Sequence, residues 1–592
     1  MHVTPRVIGM RLTHVAHLRL PFGRVLGYEL QVSSTADELP VSFDQRRHVA
    51  AGERPGSWMA ITLRWDVDDL DALATAWRRV VERHGTLCSV FEPAEQPGTD
   101  PRLRAVTLGL GRWVEHETAP GARLSDAVRS ILDTHCTPYS RPAHRLCVVQ
   151  GADEATVVIA ADHSHVDMWS LLVVARDLRA ALDGRLDERP VPAFADHTVA
   201  LRERPRAPED VRARWREVLR DAGDVMPRFP LPLGDLEDPV PERVELRDVL
   251  DVDASAALSR RARELGVSTL ALTTSVMTAA TADLAGTGLR AVFPVHSRYD
   301  ERWHDSVGWF ITNSVVDSAD ASPAACAAAI KEAVRLGSYP LEDVLAPWGG
   351  MPQAPGMFAI SWLDLRRLPV RIDHLGMQAQ YVSAAGRTDG VMVWFVLDED
   401  GMRLRCRYPD TTTARASVRS WLDAVVHGLR RQARRAGAEI TVAGVEMLVD
   451  RAERTDVATI ARLLADDPIG ATRESLDLRD YEEAFDAISR DSSQFLAVVR
   501  DGEEVVATAQ LSIVPGLSRG GATRLQIEGV RVDRHRRGRG LGSALLEWAH
   551  EHGRARGARL AQLTTDVERP EARRFYARHG YEATHVGLKR TL

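Results

Sequence analysis

The last quarter of the chain alternates short apolar strands with amphipathic helical stretches. Apolar residues recur at every second position in some segments and at helical spacing in others. The pattern predicts strands near residues 440–448, 494–500, 504–513, 524–532 and 558–564, and helices near 456–466, 541–556 and 570–578. This order is typical of an α/β domain in which a helix begins beside the end of a strand.

Two segments interrupt the periodic pattern and predict domain boundaries. Residues 432–437 (QARRAG) separate a helical run over 416–431 from strand-like residues. Prolines at 227, 230, 232, 239 and 241 break any regular element there. We therefore expect one domain over 1–436, with two lobes that divide near 190–240, and a second domain over 437–592.

Composition excludes several classes of protein. The 592 residues, 44% hydrophobic and 27% charged, are too many for one core and typical of a globular chain. No apolar run is long enough to span a bilayer, so we expect a cytoplasmic protein without a membrane segment. A net charge of −7 argues against a nucleic-acid partner. The five cysteines are scattered and never at metal-ligand spacing, so we predict neither disulfides nor a metal site.

The most informative segment of the second domain is LQIEGVRVDRHRRGRGLGSALLEW, residues 525–548. A strand leads through an Arg/Gly loop into a helix that starts near Leu541. Backbone N–H groups at a helix start lack intrahelical partners and lie at the positive end of the helix dipole, so they attract anions. Glycines let the backbone approach a pyrophosphate, and the guanidinium groups of Arg537 and Arg539 add charge. A basic, solvated loop is the alternative.

Two motifs then resemble the GNAT acetyltransferase family. RGRGLG, residues 537–542, is similar to its R/Q-x-x-G-x-G/A acyl-CoA signature, which also follows a β strand. PEARRFYARHGY, residues 570–581, resembles its closing A-x-x-F-Y-x-x-x-G-F segment, with Tyr581 at the Phe position. With the helix over 456–467, the resemblance covers 437–592 and implies a domain that binds acetyl-CoA and acetylates an amine.

This resemblance also implies roles for individual residues. The implied cofactor-binding residues are Val530, Val532, Arg537, Gly538, Arg539, Gly540, Leu541, Gly542 and Ser543. Tyr576 would protonate the departing thiolate, since a phenol with a pKa of about 10 suits the conjugate base of a thiol. Glu528 would take a proton from the incoming ammonium, directly or through water, unless it is an ordinary strand-end carboxylate. Residues 477–485 would shape the pocket of the acceptor amine, whose identity the sequence does not give.

The informative segment of the first domain is ATVVIAADHSHVDMWSLLVVARDLRA, residues 155–180. A continuous apolar run, a polar group of residues and then helical spacing predict a buried strand, a loop and a helix. His163, His165 and Asp167 lie at the junction. A neutral histidine there can act as a base on an amine or position it, and a carboxylate can fix the loop by pairing with an arginine. A structural histidine is the alternative, and no third ligand cluster supports a metal site.

The junction resembles the H-H-x-x-x-D-G-W-S core of nonribosomal-peptide condensation domains. Weaker matches follow the family's order, at 42–47 (SFDQRR), 83–87 (RHGTL), 194–197 (FADH), 215–219, Arg298 and 307–313 (VGWFITN). The resemblance implies an α/β (α+β) fold of two chloramphenicol-acetyltransferase-like lobes with a tunnel between them. It makes His163 and Asp167 the catalytic motif residues, with Asp167 as the structural carboxylate and Arg298 as its partner.

Two residues depart from this motif. Asp162 replaces the first histidine, a change that related H-x-x-x-D acyltransferases tolerate. Met168 replaces the glycine, and we expect its longer side chain to face the tunnel and narrow one approach to His163. His163 keeps the motif's spacing to Asp167, so the resemblance still implies an active first domain.

Together these patterns predict a two-module biosynthetic acyltransferase. The first domain would join an acyl or aminoacyl thioester, on CoA or on a carrier protein supplied in trans, to a small-molecule amine. The second would transfer acetyl from acetyl-CoA to an amine. Two alternatives stay open. In one, only the GNAT domain is catalytic and the first domain binds a substrate or carrier protein; in the other, both sites are inactive and the protein is regulatory, against which the intact 537–542 loop argues.

Overall fold

The structure, a computed structural model, describes residues 11–590 except 66–68, 95–99, 119–120, 153, 375, 435–437, 467–470, 472–473, 476, 492, 503 and 588–589. The chain divides into two compact units, one of residues up to 255 with 262–429, the other of residues 256–261 with those from 430 onward. The first three residues of the predicted linker continue a helix, and 435–437 lie outside the described residues. The boundary at 436/437 stays a prediction.

The strands are β1 (Arg11–His14), β2 (Arg24–Leu39), β3 (Trp58–Trp65), β4 (Ser89–Glu92), β5 (Arg102–His116), β6 (His144–Gln150), β7 (Ala155–Asp162), β8 (Val240–Leu250), β9 (Leu289–His296), β10 (Ile311–Ser318), β11 (Phe358–Asp364), β12 (Gln380–Ser383), β13 (Arg387–Thr388), β14 (Val391–Asp398), β15 (Gly401–Pro409), β16 (Ala438–Val442), β17 (Val445–Arg451), β18 (Gln494–Asp501), β19 (Glu504–Val514), β20 (Thr523–Val532) and β21 (Ala558–Leu563).

The helices are α1 (Phe43–Ala50), α2 (Leu70–Arg83), α3 (Leu124–His135), α4 (Met168–Leu182), α5 (Phe194–Arg202), α6 (Glu209–Asp221), α7 (Val252–Glu264), α8 (Thr269–Ala285), α9 (Pro323–Leu336), α10 (Leu341–Leu345), α11 (Thr412–Arg434), α12 (Val457–Ala465), α13 (Arg479–Arg490), α14 (Ser518–Gly521), α15 (Leu541–Ala555) and α16 (Pro570–Arg578).

The first sheet of the larger unit has the order β1-β12-β3-β7-β6-β2-β5-β4. Its pairs are antiparallel except β1 with β12, a strand that returns from residues 380–383 of the second half. Every residue of β7 is buried, which explains the continuous apolar run of its sequence. Helices α2 and α4 pack their apolar residues on this sheet, so the loop after β7 starts from a rigid core.

The second sheet has the order β10-β9-β11-β14-β15-β8-β13. Strand β11 runs parallel to β9 and β14, and the other neighbours are antiparallel. Trp215 of α6 is fully buried in a cluster with apolar residues of α10 and of this sheet. The larger unit is thus two sheet-and-helix lobes, linked by the excursion of β12 into the first sheet.

The smaller unit contains one sheet, ordered β16-β17-β18-β19-β20-β21. Only β20 and β21 are parallel, which requires the crossover helix α15 between them. Leu541, Leu545, Leu546 and Ala549 lie at helical spacing on α15 and are buried against the sheet.

One predicted element of the smaller unit is wrong. The single strand expected over 440–448 is a hairpin of β16 and β17. Ala443 and Gly444 form its turn with φ of 52° and 83°, the positive values that a two-residue hairpin turn needs. Helix α13 also lies where the sequence predicted only a variable, pocket-shaping segment.

Within the described ranges, no single helix is long and apolar enough to cross a membrane. The consecutive helices α7 and α8, bent by 93° relative to each other, pass the same length and composition test only as a pair.

Candidate active sites

The loop between β7 and α4 fixes the orientation of His163. The Nδ1 atom of His163 lies 2.8 Å from the carbonyl oxygen of Val166, which is an acceptor only, so Nδ1 carries the proton and donates it. The neutral ring therefore presents Nε2 with a lone pair. Because general bases need a lone pair at the reacting atom, the geometry suits proton abstraction by Nε2.

The surroundings of His163 favour its neutral imidazole over the protonated form. Burial lowers the pKa of His163 and the nearby His48 lowers it further, while the Val166 carbonyl and the Asp162 carboxylate raise it. The net direction is downward. A neutral histidine at ordinary pH is the form that accepts a proton.

Asp162, the first departure from the motif, is fully buried and hydrogen-bonded. Its Oδ1 accepts hydrogen bonds from His48 Nε2 at 3.0 Å and from the Ser164 N–H at 2.9 Å. Arg54 Nη2 donates to His48 Nδ1 at 2.9 Å. The hydrogen bonds therefore run in one direction, from Arg54 through His48 to Asp162. Burial alone raises the pKa of Asp162, but these donors outweigh it and bring the pKa to about 2. The sequence motif showed only that Asp162 replaces the first histidine. It did not predict that His48 lies beside this aspartate.

The second histidine of the loop is structural. His165 is buried, its Nδ1 contacts Ser164 Oγ at 2.9 Å and its Nε2 lies 3.2 Å from the Ser89 carbonyl oxygen. Both ring nitrogens are used inside the fold. No group of three or more His, Cys, Asp or Glu side chains that could hold a metal ion occurs among the residues that the structure describes.

Asp167 and Arg298 form a buried ion pair that joins the two lobes. Arg298 Nη1 lies 2.6 Å from Asp167 Oδ2, and both side chains are at most 2% exposed. Asp167 also caps α4 by accepting from the Ser170 N–H at 2.7 Å, and it accepts from the Phe310 N–H at 3.1 Å. Burial opposes ionisation of Asp167, but Arg298 and the Ser170 donors outweigh it, so the pKa lies below its ordinary value. Asp167 is saturated by these contacts, which suits a structural carboxylate.

Met168, the second departure, is half buried and packs against the apolar core of the first sheet. Its carbonyl oxygen accepts a hydrogen bond of 2.8 Å from the Tyr381 hydroxyl, on the returning strand β12. Narrowing of an approach to His163 by Met168 stays a prediction.

The weaker motifs of the first domain converge on the same loop. Gln45 Nε2 of α1 donates to the Ser164 carbonyl at 2.8 Å. Asn313 Nδ2 of β10 lies 3.3 Å from Asp44 Oδ1, so α1 also contacts the second lobe. These contacts give a physical reason for the spacing of segments that lie far apart in the sequence.

Two further motif segments pack behind the loop. Arg83 Nε and His84 Nε2 both lie 3.0 Å from Asp177 Oδ2 on α4. A Cβ atom added to Gly308 would meet Phe194 at 2.4 Å, so only glycine fits this contact between the lobes. Trp309, the next residue, stacks on His163 with ring centroids 4.0 Å apart and an interplanar angle of 16°. Sequence analysis assigned no role to Trp309.

In the smaller unit, β20 separates from its neighbour where the implied acetyl site lies. Pairing with β21 ends at Ile527, while β20 continues to Val532. On its other side the register with β19 shifts between Thr508 and Gln510, opposite Gly529, whose φ is 59°. Bulges of this kind re-aim side chains next to active sites. Over residues 528–532, β20 therefore extends past the end of its pairing with β21, on the side that faces away from β19.

The Arg/Gly loop and the start of α15 have the backbone geometry that the predicted anion cradle requires. Gly538 and Gly540 have φ of 75° and 91°, a conformation that glycine adopts without strain. Gly540 is the N-cap and brings no capping side chain, and the first helical bond is from the Ala544 N–H to the Gly540 carbonyl. The N–H groups of residues 541–543, which include Leu541, Gly542 and Ser543, therefore precede that first bond.

The arginines of the loop differ in what they contact. Arg537 Nε donates to the Val532 carbonyl at 2.9 Å, and its Nη2 pairs with Asp466 at 3.0 Å. The guanidinium of Arg537 thus holds the loop to the fold, and the charge that we expect it to add to the anion site stays a prediction. Arg539 is exposed.

The remaining implied residues surround this cradle. Tyr576 of α16 is half buried; burial raises its pKa, while Arg531 and Arg569 lower it, and the net direction is upward. Ser543 Oγ contacts His579 Nε2 at 3.0 Å, a partner that the sequence did not predict. Val530 and Val532 are half buried against the core of the unit. Glu528 is exposed on β20, paired in register with Gln510.

Known proteins resemble both units of the chain. Residues 458–581 match the model of the acetyltransferase (GNAT) family. The aminoalkylphosphonate N-acetyltransferase of Salmonella typhimurium is 45% identical over 56 residues, 10% of this chain and 36% of that protein. Nonribosomal peptide synthetase 8 of Aspergillus fumigatus is 30% identical over 179 residues, 29% of this chain. The chain spans 2% of the length of that synthetase.

Solved structures establish the fold of the larger unit. PapA2 acyl transferase superposes with a TM-score of 0.62 at 19% identity, covering 72% of this chain and 100% of that one. The condensation domain of the Monacolin K polyketide synthase MokA gives 0.53 at 16% identity, covering 68% and 98%. The predicted fold class, two lobes followed by a GNAT domain, is confirmed. The chain therefore carries the fold of condensation domains in its larger unit and a domain of the acetyltransferase (GNAT) family at residues 458–581.

Proposed function

We propose that the protein is a bifunctional acyltransferase of natural-product biosynthesis. The first domain forms an amide between an acyl or aminoacyl thioester and an amine, and the GNAT domain transfers acetyl from acetyl-CoA to an amine. The observation that carries the proposal for the first domain is the hydrogen bond from His163 Nδ1 to the Val166 carbonyl, which fixes the tautomer so that the neutral imidazole has its lone pair on Nε2.

In the condensation step, Nε2 of His163 accepts a proton from the amine as its nitrogen attacks the thioester carbonyl. The carbon–sulfur bond breaks, and the protonated imidazole returns the proton to the departing thiolate. Asp167 and Arg298 hold the loop and the second lobe in register and take no part in proton transfer. The thioester reaches the site on CoA or on a carrier protein in trans.

In the acetylation step, the open N–H groups at the start of α15 bind the pyrophosphate of acetyl-CoA. The exposed edge of β20 lies where the pantetheine arm extends. Glu528 accepts the ammonium proton of the acceptor, directly or through water, and Tyr576 protonates the thiolate of CoA. The similarity to an aminoalkylphosphonate N-acetyltransferase makes small amines with an anionic group the first acceptors to test.

The test measures product masses from the full chain with acetyl-CoA, a panel of acyl thioesters on CoA and on carrier proteins, and a panel of amines that includes aminoalkylphosphonates. His163→Ala should abolish the condensed amide while acetylation continues. His427→Ala, at an exposed histidine of α11, is the matched control and should change neither product.

A condensed product that persists undiminished in His163→Ala refutes His163 as the base. Acetylated product without any condensed product across the panel favours the alternative in which the first domain only binds a substrate or a carrier protein. Absence of acetylation with every amine refutes the GNAT assignment.

A further inference from the structure

The indole of Trp309 lies flat on the imidazole of His163. The two rings are nearly parallel, 16° apart, with centroids separated by 4.0 Å. His48 contacts the same indole edge-on, with centroids 5.2 Å apart. His163 belongs to the first lobe and Trp309 to the second, so the second lobe covers one face of the imidazole.

The backbone on both sides of Trp309 is bonded to the start of α4. The Gly308 N–H donates to Ser170 Oγ at 3.1 Å, and Ser170 Oγ donates to the Gly308 carbonyl at 3.0 Å. The Phe310 N–H donates to Asp167 Oδ2 at 3.1 Å. Because these bonds are buried, the backbone that carries the indole cannot shift relative to the His163 loop without breaking them.

We propose that Trp309 is a positioning residue for His163: its indole closes one face of the imidazole, holds the ring with Nδ1 on Val166, and stabilises the imidazolium that forms when Nε2 takes a proton. This inference rests on the proposed role of His163 as the base. The face of an indole attracts a cation through its quadrupole, and the attraction is stronger in a site shielded from water.

The titratable groups that shift the pKa of His163 most belong to the first lobe. They are His48 of α1, which disfavours the imidazolium, and Asp162 of β7, which favours it. The Val166 carbonyl also favours the protonated ring. The face covered by the second lobe meets an uncharged indole, so replacing Trp309 changes the energy of the imidazolium without removing a charge.

The stacked indole limits the direction from which an amine substrate can reach His163. Since Trp309 blocks one face and Val166 occupies Nδ1, the amine must approach Nε2 at the ring edge, from the side away from the indole. The imidazole also cannot flip to exchange its two nitrogens, because a flip would sweep the ring through the stacked indole.

The experiment titrates ¹⁵N-histidine-labelled full-length protein by NMR, with the His163 signals assigned by their loss in His163→Gln. Trp309→Leu should lower the pKa of His163 by about 0.5 to 1 unit and populate the second tautomer. Trp309→Phe keeps a smaller aromatic face and should give a smaller shift in the same direction. Trp362→Leu is the matched control, a half-buried tryptophan of the second lobe that contacts Phe395, and should leave the titration unchanged.

A second readout is fluorescence, because a protonated imidazole quenches a stacked indole. Wild-type emission should fall as pH drops through the pKa of His163, and both His163→Gln and Trp309→Phe should remove that component. Identical His163 pKa and tautomer in wild type and in both Trp309 variants would overturn the inference. Both readouts work without substrate, so a protein that shows the shift but forms no condensed amide would favour the alternative in which the first domain only binds, while the effect of Trp309 on His163 would stand.

Discussion

Removal of Asp167 provides the most direct energetic test of how the two lobes are joined. The carboxylate accepts from Arg298, from the Ser170 N–H and from the Phe310 N–H in a site at most 2% exposed. Asp167→Ala leaves the guanidinium of Arg298 buried without its counter-charge, which costs about 3–5 kcal/mol. The first unit has about 420 residues, so its unfolding entropy of roughly 0.9 kcal/mol per degree converts this loss into a Tm lower by about 3–6 °C.

The assay is thermal unfolding of the full chain followed by tryptophan fluorescence. Twelve of the 13 tryptophans belong to the first unit, and only Trp548 lies in the second, so the signal reports the unit that contains the pair. Asp167→Asn keeps an acceptor for the two N–H groups and should lie between wild type and Asp167→Ala. Asp183→Ala, at the other end of α4, removes a more exposed partner of Arg179 and should shift Tm by less than about 1 °C.

The stabilisation that Asp167 provides should depend on pH in a definite direction. The folded-state pKa of Asp167 lies below its ordinary value, so its stabilisation is fully present above about pH 4 and is lost as the pH falls through the folded pKa. The difference in Tm between wild type and Asp167→Asn should therefore shrink in acid. Equal shifts for Asp167→Ala and Asp183→Ala, or a difference that persists unchanged below pH 3, would refute the reasoning.

Three further predictions concern both units. Tyr576→Phe should lower the acetylation rate and leave the Kd for acetyl-CoA nearly unchanged, because the hydroxyl acts when thiolate leaves; an unaltered rate at saturating substrate assigns the proton to water. Gly540→Ala, at φ 91°, should weaken acetyl-CoA binding about tenfold in calorimetry. The control Gly557→Ala introduces similar strain at φ 79° beyond the other end of α15 and should not weaken binding. Equal losses of affinity would contradict the proposed pyrophosphate site at Gly540. Burial raises the pKa of Asp44 to about 6, so the folded protein binds the carboxyl proton more tightly than the unfolded chain, and stability falls as the pH rises from about 4 to 6. Asp44→Asn should therefore restore roughly 3 kcal/mol of unfolding free energy at pH 7.5 and nothing below pH 4. An equal gain at both pH values would contradict this prediction.

The sequence was sufficient for features whose residues are close together in the chain. His163 and Asp167 belong to one loop between a buried strand and a helix, and the Arg/Gly segment belongs to one strand–loop–helix unit. In each case local periodicity and a short motif describe the whole arrangement. Strand and helix positions of the smaller unit follow for the same reason, apart from the turn at 443–444 and helix α13, which the pattern did not predict.

Contacts between distant segments were not predictable in this way. His48 reaches Asp162 across 114 residues, and its sequence context signals only a helix. Arg537 meets Asp466 across 71 residues, and an arginine in a glycine-rich loop is equally suited to a phosphate or to a carboxylate. The short strand β12 joins the first sheet beside β1, a placement set by tertiary pairing over several hundred residues. In all three cases the partner lies too far along the chain for a local pattern to identify it.

The two candidate sites share a local architecture and use it in opposite ways. Both place a loop between a strand and the N-terminus of a helix, where backbone N–H groups and the helix dipole favour negative charge. At α4 the N-cap is Asp167, whose own carboxylate fills that position and is neutralised by Arg298. At α15 the N-cap is Gly540, which leaves the position open. We therefore expect an external phosphate to bind at the open start of α15 and not at the start of α4, where the Asp167 carboxylate already fills the position. Under the proposed function, the first domain would then bind its thioester donor through contacts away from the His163 loop, whereas the second would anchor its donor by the pyrophosphate.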